Sequence, residues 1–290
     1  MNFYCLGAAN IDIKAVPQFP IVIGETIPVN TISCYGGVAR NVAENLSVLG
    51  AKTHLLSSVG NDSEGHQLIA ALENIGVDTK DILVSDELPT GKYYALLGEE
   101  RELFIATADM EIYKKLTPTY VIPRISKQTE IRNWILDADL PSETIEAVAL
   151  FATKKQKLWG VAVSAVKTPR LASGFPHWHA LFLNRSELQA LTEEKETYAG
   201  IRQVIKRGCR HLFVTHGPHE VLYAHDDQII HYPCPKADVI DVIGAGDAFS
   251  AGIIYSLSQD RSLNESLEFG FGMAKNALAS YSSSLNKDKT

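Results

Sequence analysis

The run Asp241-Val-Ile-Gly-Ala-Gly-Asp247-Ala-Phe-Ser-Ala-Gly252 holds the densest chemistry in the sequence. Three small residues, Gly244, Ala245 and Gly246, lead straight into a carboxylate. Small residues let the backbone approach a ligand closely and turn consecutive N–H groups toward it. An extended apolar run, Val239–Ile243, enters the turn, and the spacing predicts a helix opening at about Asp247. The free donors and partial positive charge of a helix N-terminus make this turn an anion hole suited to a phosphoryl group. The same field should keep Asp247 ionised at neutral pH, where it can accept a proton from an alcohol attacking that phosphoryl group. Phosphoryl transfer passes through a loose transition state, so positioning and charge stabilisation outweigh base strength. For an isolated Gly-x-Gly-Asp, a plain helix cap is the competing reading.

Two further clusters lie far upstream. Gly36-Gly37-Val-Ala-Arg-Asn41 places paired glycines before a helix whose first turn carries an amide able to bind a ligand hydroxyl lying on the Gly-Gly turn. Asn10-Ile11-Asp12 follows the first predicted strand, and ligands of open α/β sheets bind beyond such strand ends. Asn10 and Asp12 alternate with an apolar residue, so both can point the same way toward hydroxyls. Other phosphate and nucleophile signatures are missing. There is no GxxxxGK[ST], since Gly91-Lys92 is followed by Tyr93, and no GxGxxG follows the first strand. HExxH and GxSxG are absent too. The nine histidines form no ligand cluster by spacing, and His177 and His179, flanking Trp178, read as surface-loop residues.

Composition narrows the class. The 290 residues carry 27 basic and 34 acidic side chains, a net charge of −7, which argues against a nucleic-acid partner. A hydrophobic fraction of 46% with 21% charged residues is that of a globular chain with a substantial core. Cys5, Cys34, Cys209 and Cys234 are scattered, without a CxxC pair, and read as reduced thiols. No apolar run approaches a membrane span, and the start MNFYCLGAANIDI lacks a leader pattern. The expectation is an unprocessed cytoplasmic protein with neither membrane nor nucleic acid as partner.

Strand-like and helix-like runs alternate, the pattern of a layered α/β domain with a mainly parallel sheet. Strands are predicted at Phe3–Gly7, His54–Val59, Trp159–Val166, Ala180–Leu183 and His211–Thr215. Amphipathic helices carry Val38, Val42 and Leu46 up to Gly50, and Leu68, Leu72 and Ile75 up to Gly76. Ser262 and Glu265 form a capping box that opens a C-terminal helix. Residues 14–35 hold short extended runs (Ile21–Ile23, Ile27–Ile32) broken by prolines and Gly24. Residues 90–107 read as a hairpin, Lys92–Leu97 and Glu102–Thr107, turning at Gly98–Arg101. Neither excursion makes a domain, so residues 1–290 are expected to form one domain with a small β-sheet lid built from about 14–35 and 90–107.

Taken in order, these motifs resemble the PfkB/ribokinase family of carbohydrate kinases along nearly the whole chain. Gly36–Gly50 is similar to its first signature, Asp241–Ile254 to its second, and Gly24-Glu-Thr26 to its usual lead-in. The resemblance implies a ribokinase-like three-layer sandwich, ATP and Mg²⁺ as cofactors, and an alcohol as phosphoryl acceptor. It implies Asp247 as base, with Gly244, Ala245 and Gly246 as anion hole. Asn10, Asp12, Gly36, Gly37 and Asn41 match substrate positions. Asn184 and Glu187 resemble the NxxE element that organises Mg²⁺ and phosphate. Thr215 and Gly217 resemble the TxG turn at the nucleotide, Asp241 a position linked to a monovalent cation such as K⁺, and Asn276 a residue bordering the adenine. Three departures stand out. Glu220 replaces the second glycine after TxG, Val242 and Ile243 replace common threonines, and Val38 replaces the lysine of sugar-specific ribokinases.

Within the family, GGVxRNxAxNLxxLG and Ala106-Thr-Ala-Asp109-Met110-Glu-Ile112 are most similar to the pseudouridine kinases, which implies transfer from ATP to the 5′-hydroxyl of pseudouridine. Tyr93 or Tyr94 could wall the base, and strand alternation requires one of the two to face solvent. Asp139 matches a polar residue facing the substrate. Fructose, 2-keto-3-deoxygluconate, ribose and adenosine remain open as acceptors, as does a kinase-like protein that binds without catalysis. Relatives often pair their lids, so an exposed lid sheet is a candidate homodimer surface.

Overall fold

A computed structural model describes residues 1–98, 103–239 and 244–279. Its N-terminal half contains β1 (Asn2–Leu6), β2 (Asn10–Pro17), β3 (Val29–Gly36), α1 (Val38–Val48), β4 (Lys52–Leu56), β5 (Ser58–Gly60), α2 (Ser63–Asn74), β6 (Val77–Asp78), β7 (Leu83–Ser85), β8 (Lys92–Leu97) and β9 (Leu103–Asp109). There follow α3 (Pro118–Ile125), β10 (Asn133–Asp137), α4 (Ser142–Phe151), β11 (Lys157–Val161), β12 (Trp178–Asn184), α5 (Arg185–Thr192) and α6 (Thr197–Lys206). The chain closes with β13 (His211–His216), β14 (Glu220–His225), β15 (Gln228–Pro233), α7 (Ala245–Leu257) and α8 (Leu263–Leu278).

Nine strands form the main sheet in the order β15-β14-β13-β12-β11-β10-β1-β4-β6. Pairing is parallel from β6 to β13, and β14 and β15 finish the edge as an antiparallel hairpin. Helices cover both faces. Tyr4, Leu6, Trp134 and Leu136 point to the face packed by α3, α4, α5 and α6. Phe3, Cys5 and Ile135 point to the face packed by α1, α2, α7 and α8. Strands buried on both faces read as unbroken apolar runs, which is why β1, β11, β12 and β13 were legible.

A second sheet has the order β3-β2-β8-β9. Its β2–β3 and β8–β9 pairs are antiparallel and β2–β8 is parallel. This sheet begins earlier than expected. Gly7, at φ 149, ends β1, and Asn10 and Asp12 belong to β2 rather than to the end of the first strand. Ile21–Ile23 is not a strand, because Pro20 removes a ladder donor and Gly24 (φ 87) turns the chain. The Val239–Ile243 run and the Gly98–Arg101 turn fall largely outside the described residues.

Some elements differ from the sequence reading. His54–Val59 divides at Ser57 into β4 and β5, and β11 stops at Val161 rather than Val166. Four strands of the main sheet were not expected: the two-residue β6, β10, β14 and β15. Strand β10 has only three apolar residues between Asn133 and Asp137. The β14–β15 hairpin turns at Asp226–Asp227, with Asp226 in left-handed backbone at φ 49. His179 lies within β12, half-buried, its ring 4.6 Å from Trp159 and 5.1 Å from His211, so only His177 of that pair is a surface residue. The capping boxes follow the local code: Ser262 and Glu265 close the N-terminus of α8 as anticipated.

The unanticipated β10 carries a structural carboxylate. Asp137 is fully buried and accepts from the backbone N–H of Ala8 (2.8 Å), Ala39 (3.0 Å) and Asp139 (2.9 Å). It thereby ties the end of β1, the start of α1 and the loop after β10 to one point. A Cβ on Gly7 would fall 2.2 Å from its carboxyl, so glycine is required there. Burial and the neighbouring Asp139 push the Asp137 carboxyl up, and the three N–H donors oppose them. Asp137→Ala strands three buried donors and should lower the unfolding free energy by about 3 kcal/mol. Urea titration at pH 7 measures this, and an unchanged midpoint would show that the donors find other partners.

Candidate active site

A cavity of about 530 Å³ opens at the carboxyl ends of the parallel strands, under the small sheet. It is lined by Val161–Val163 beyond β11, Phe182–Asn184 at the end of β12 and Thr215 of β13. Strand β2 contributes Asn10 and Asp12, β8 contributes Tyr93, and the N-terminal turns of α1 and α7 contribute Gly37, Asn41, Gly244, Gly246 and Asp247. Motifs about 230 residues apart in sequence therefore share one chamber.

Two helix starts meet at Asp247. Gly244 caps α7 in left-handed backbone (φ 82), which lets the chain turn into the helix with its first N–H groups free. A Cβ on Gly246 would meet nothing within 4 Å, so the space beside that N–H is open to a ligand. Asp247 lies in the first turn, and the Asn41 amide donates to its Oδ2 at 2.7 Å. Burial pushes the Asp247 carboxyl up to about 7, against that hydrogen bond; Asp12 and Glu187 add to the rise and Arg40 opposes it. The expectation of a carboxylate held firmly ionised at neutral pH is thus corrected. Desolvation among other acids outweighs the helix field.

The glycine pair before α1 serves protein atoms more than a ligand. A Cβ on Gly36 would fall 2.3 Å from Oδ1 of Asp12, and one on Gly37 (φ 97) 2.4 Å from the Ala8 carbonyl. Gly36 itself does not line the cavity. Asn10 and Asp12 are both buried on one face of β2, and Asn10 donates to Asp12 at 2.6 Å. Tyr93 faces inward while Tyr94 is 42% exposed, as alternation requires.

Toward the β12–β13 end, Asn184 and Glu187 form the capping box of α5. Asn184 Oδ1 accepts from the Glu187 N–H at 2.9 Å, and Glu187 Oε2 accepts from the Asn184 N–H at 2.8 Å. Burial raises the Glu187 carboxyl above its usual range. These two side chains are the ones that could hold a divalent cation. A single carboxylate beside nucleotide phosphates suits Mg²⁺, which keeps several waters and needs few protein ligands. Among the described residues no cluster of three or more His, Cys, Asp or Glu forms an all-protein metal cage.

The remaining expected residues lie elsewhere. Ala245 starts α7 without lining the cavity, and Gly217 (φ 52) shapes the turn after β13 without lining it. Asn276 faces a separate depression with Leu49, Arg261, Phe269 and Met273, so the described structure does not bring it to the chamber. Asp241, Val242 and Ile243 lie outside the described residues. Glu220 starts β14, where Arg185 donates to it at 2.7 Å and His231 sits 2.7 Å away; the His231 bond holds its carboxyl below the usual range. The position that commonly takes glycine here carries a charge already neutralised by its neighbours.

Sequence reasoning missed Lys167, which lines the cavity and pairs with the buried Asp139, and Ser250, which donates to the Gly246 carbonyl at 2.8 Å. Lys167 sits on an irregular stretch after β11, where no period marks an inward side chain. The arrangement offers a free helix N-terminus for anionic oxygens, a carboxylate poised to take a proton and a polar wall for hydroxyls. That set suits transfer of a phosphoryl group to an alcohol.

Comparison with known proteins points the same way. The pfkB family carbohydrate kinase profile matches residues 2–289. The pseudouridine kinase of Escherichia coli (strain K12) is 28% identical, the match covering 94% of this chain and 89% of that one. The structure of a carbohydrate kinase from Agrobacterium tumefaciens superposes with a TM-score of 0.83 at 28% identity, covering 99% of this chain and 94% of that one. A ribokinase from Thermotoga maritima superposes at 0.86 with 19% identity, covering 99% and 96%, and shares the fold. With the profile spanning almost every residue and the parallel sheet, small sheet and convergent helix starts in place, this chain belongs to the pfkB family of carbohydrate kinases and is a sugar or nucleoside kinase of ribokinase-like fold.

Proposed function

We propose that the protein transfers the γ-phosphoryl group of ATP to the 5′-hydroxyl of pseudouridine, giving pseudouridine 5′-phosphate and ADP. The observation that carries the reading is the Asn41–Asp247 pair at the mouth of the α7 N-terminus, inside a cavity large enough for a nucleoside. The acceptor hydroxyl points at Asp247. Its oxygen bonds to the γ-phosphorus as the bond to the β,γ-bridging oxygen breaks, and Asp247 takes the proton. N–H groups of residues 244–246 steady the equatorial oxygens. Asn10, Asp12, Gly37 and Asn41 hold the ribose hydroxyls. Asn184 and Glu187 stand where Mg²⁺ would enter with the nucleotide and supply positive charge to its phosphates. Thr215 lines the cavity on the side left for the nucleotide, and Gly217 shapes the turn behind it.

The pseudouridine assignment has two supports. One is the similarity to the Escherichia coli enzyme. The other is the chemistry of the inner wall, where the cationic donor Lys167 and the anionic acceptor Asp139 stand side by side in the cavity that Tyr93 also lines. A pyrimidine ring presents adjacent carbonyl and N–H groups that such a pair can read. The small sheet would act as the lid of a single kinase domain, excluding water that competes as acceptor. Its β9 strand exposes Leu103, Phe104 and Ile105, each more than half exposed, a surface suited to a second copy of this chain. All four cysteines are free, in keeping with a cytoplasmic setting. No helix among the described residues is long and apolar enough to cross a membrane.

A panel of pseudouridine, uridine, ribose, fructose, 2-keto-3-deoxygluconate and adenosine with MgATP tests the assignment by ADP release. Pseudouridine should give the highest kcat/KM. Another acceptor leading would reassign the substrate, and ATP binding without turnover on any of them would point to a non-catalytic ligand-binding protein. Asp247→Asn should cut kcat about 10³-fold while the protein stays folded. The acidic limb of the kcat/KM profile should fall near pH 7, the value to which burial raises this carboxyl.

The same group links activity to stability. A folded-state pKa above the unfolded one means that the folded form holds its proton more tightly. The resulting stability is present below the unfolded pKa and is lost as pH rises through about 7. Asp247→Asn should therefore melt above the wild type at pH 8, by a margin that shrinks as the pH falls toward 5. A margin that stayed constant with pH would count against a strained carboxylate. For the lid surface, Phe104→Lys should shift sedimentation from dimer to monomer, and a wild type that sediments as a monomer at all concentrations would remove the pairing.

A further inference from the structure

Arg40 precedes Asn41 on α1 and is almost completely buried, at 5% exposure. Its guanidinium is anchored on three sides. Nη1 donates to the Tyr35 carbonyl at 2.8 Å and to Asn41 Oδ1 at 2.7 Å, and Nη2 pairs with Glu44 one turn along the helix. A buried cation in the first turn of a helix stands against the helix field, so it is expensive to keep there without a task.

The task is visible in the polarity of the Asn41 amide. An amide has an accepting end and a donating end that are nearly identical in shape. With the guanidinium on Oδ1, the donating end must face Asp247, and Nδ2 does so at 2.7 Å. The reversed amide would set two donors against each other at Arg40 and a carbonyl against the carboxylate at Asp247. We propose that Arg40 is a positioning residue of the active site: by fixing which end of the Asn41 amide meets Asp247, it holds that carboxyl in the proton-accepting form. An Nδ2–H donor stabilises a carboxylate, whereas an Oδ1 acceptor would stabilise the protonated acid.

The charged groups facing Asp247 come from three elements. Asp12 on β2 and Glu187 on α5 raise its affinity for a proton, and Arg40 on α1 lowers it alongside the Asn41 bond. Arg40 is the one cation of these three, and its own charge is shared with Glu44. Its leverage therefore runs through the amide more than through space.

The inference rests on Asp247 as the base, yet its first readout needs no turnover. Protein labelled at the aspartate carboxyl carbons is titrated by NMR, with Asp247 assigned by its loss in Asp247→Asn. Arg40→Met should raise the Asp247 midpoint by about one pH unit, and kcat/KM at pH 6.5 should fall about tenfold in step, with KM for ATP little changed. Arg40→Lys keeps the charge without the planar fork and should raise the midpoint by about half as much. In an Asn41→Ala background, Arg40→Met should move the midpoint by less than a third of that amount. An unmoved midpoint in Arg40→Met overturns the proposal, as does an equal shift with and without Asn41, which would mean through-space charge alone. If Arg40→Met does not fold, Arg40→Lys decides by the presence or absence of its upward shift. A wild type that phosphorylates none of the acceptors counts against the proposed function and leaves the titration result standing.

Discussion

Everything at this site depends on one hydrogen bond between residues 206 positions apart, Asn41 Nδ2 to Asp247 Oδ2. It joins the first turns of α1 and α7, the two helices whose N-termini face the cavity. Both helices are pinned by glycine caps with positive φ, Gly37 and Gly244, which bring the chain into the helix at an angle no other residue adopts easily. The bond therefore fixes more than a side chain. It sets the distance between the start of α1 and the turn that opens α7.

The chamber is built against its own electrostatics. Asp12, Asp139, Glu187 and Asp247 line it, with Asp137 just behind. Carboxylates gathered in a partly desolvated space resist ionising together. The protein offsets this with backbone donors on Asp137, with Lys167 on Asp139 and with Arg40 acting on Asn41. Burial still raises the Asp247 carboxyl to about 7, a value that suits the proton-accepting role proposed for it.

Legibility followed the physics of each signal. Helices α1, α2 and α8 could be read because one stripe faces the sheet and the caps obey local rules. Central strands could be read because both faces are buried. Strand β10 could not, because its polar ends, Asn133 and Asp137, are buried for tertiary reasons: Asn133 accepts from Trp159, and Asp137 holds three N–H groups. Asn10 and Asp12 were identified as a pair while their strand was misplaced, since a break at Gly7 is invisible to hydrophobic period. Lys167 carried no period at all.

Residue types and spacing by themselves pointed to a sugar or nucleoside kinase: small residues before a carboxylate at a helix start, an amide after paired glycines, a polar pair on a strand. They also determined the layered α/β class, through unbroken apolar runs alternating with striped helices. The tertiary structure alone decided the protonation balance of Asp247, the orientation of the Asn41 amide, the entry of Lys167 into the wall and the removal of Asn276 from it. Those features arise from desolvation and from contacts between segments distant in sequence, and both exist only once the chain has closed around the cavity.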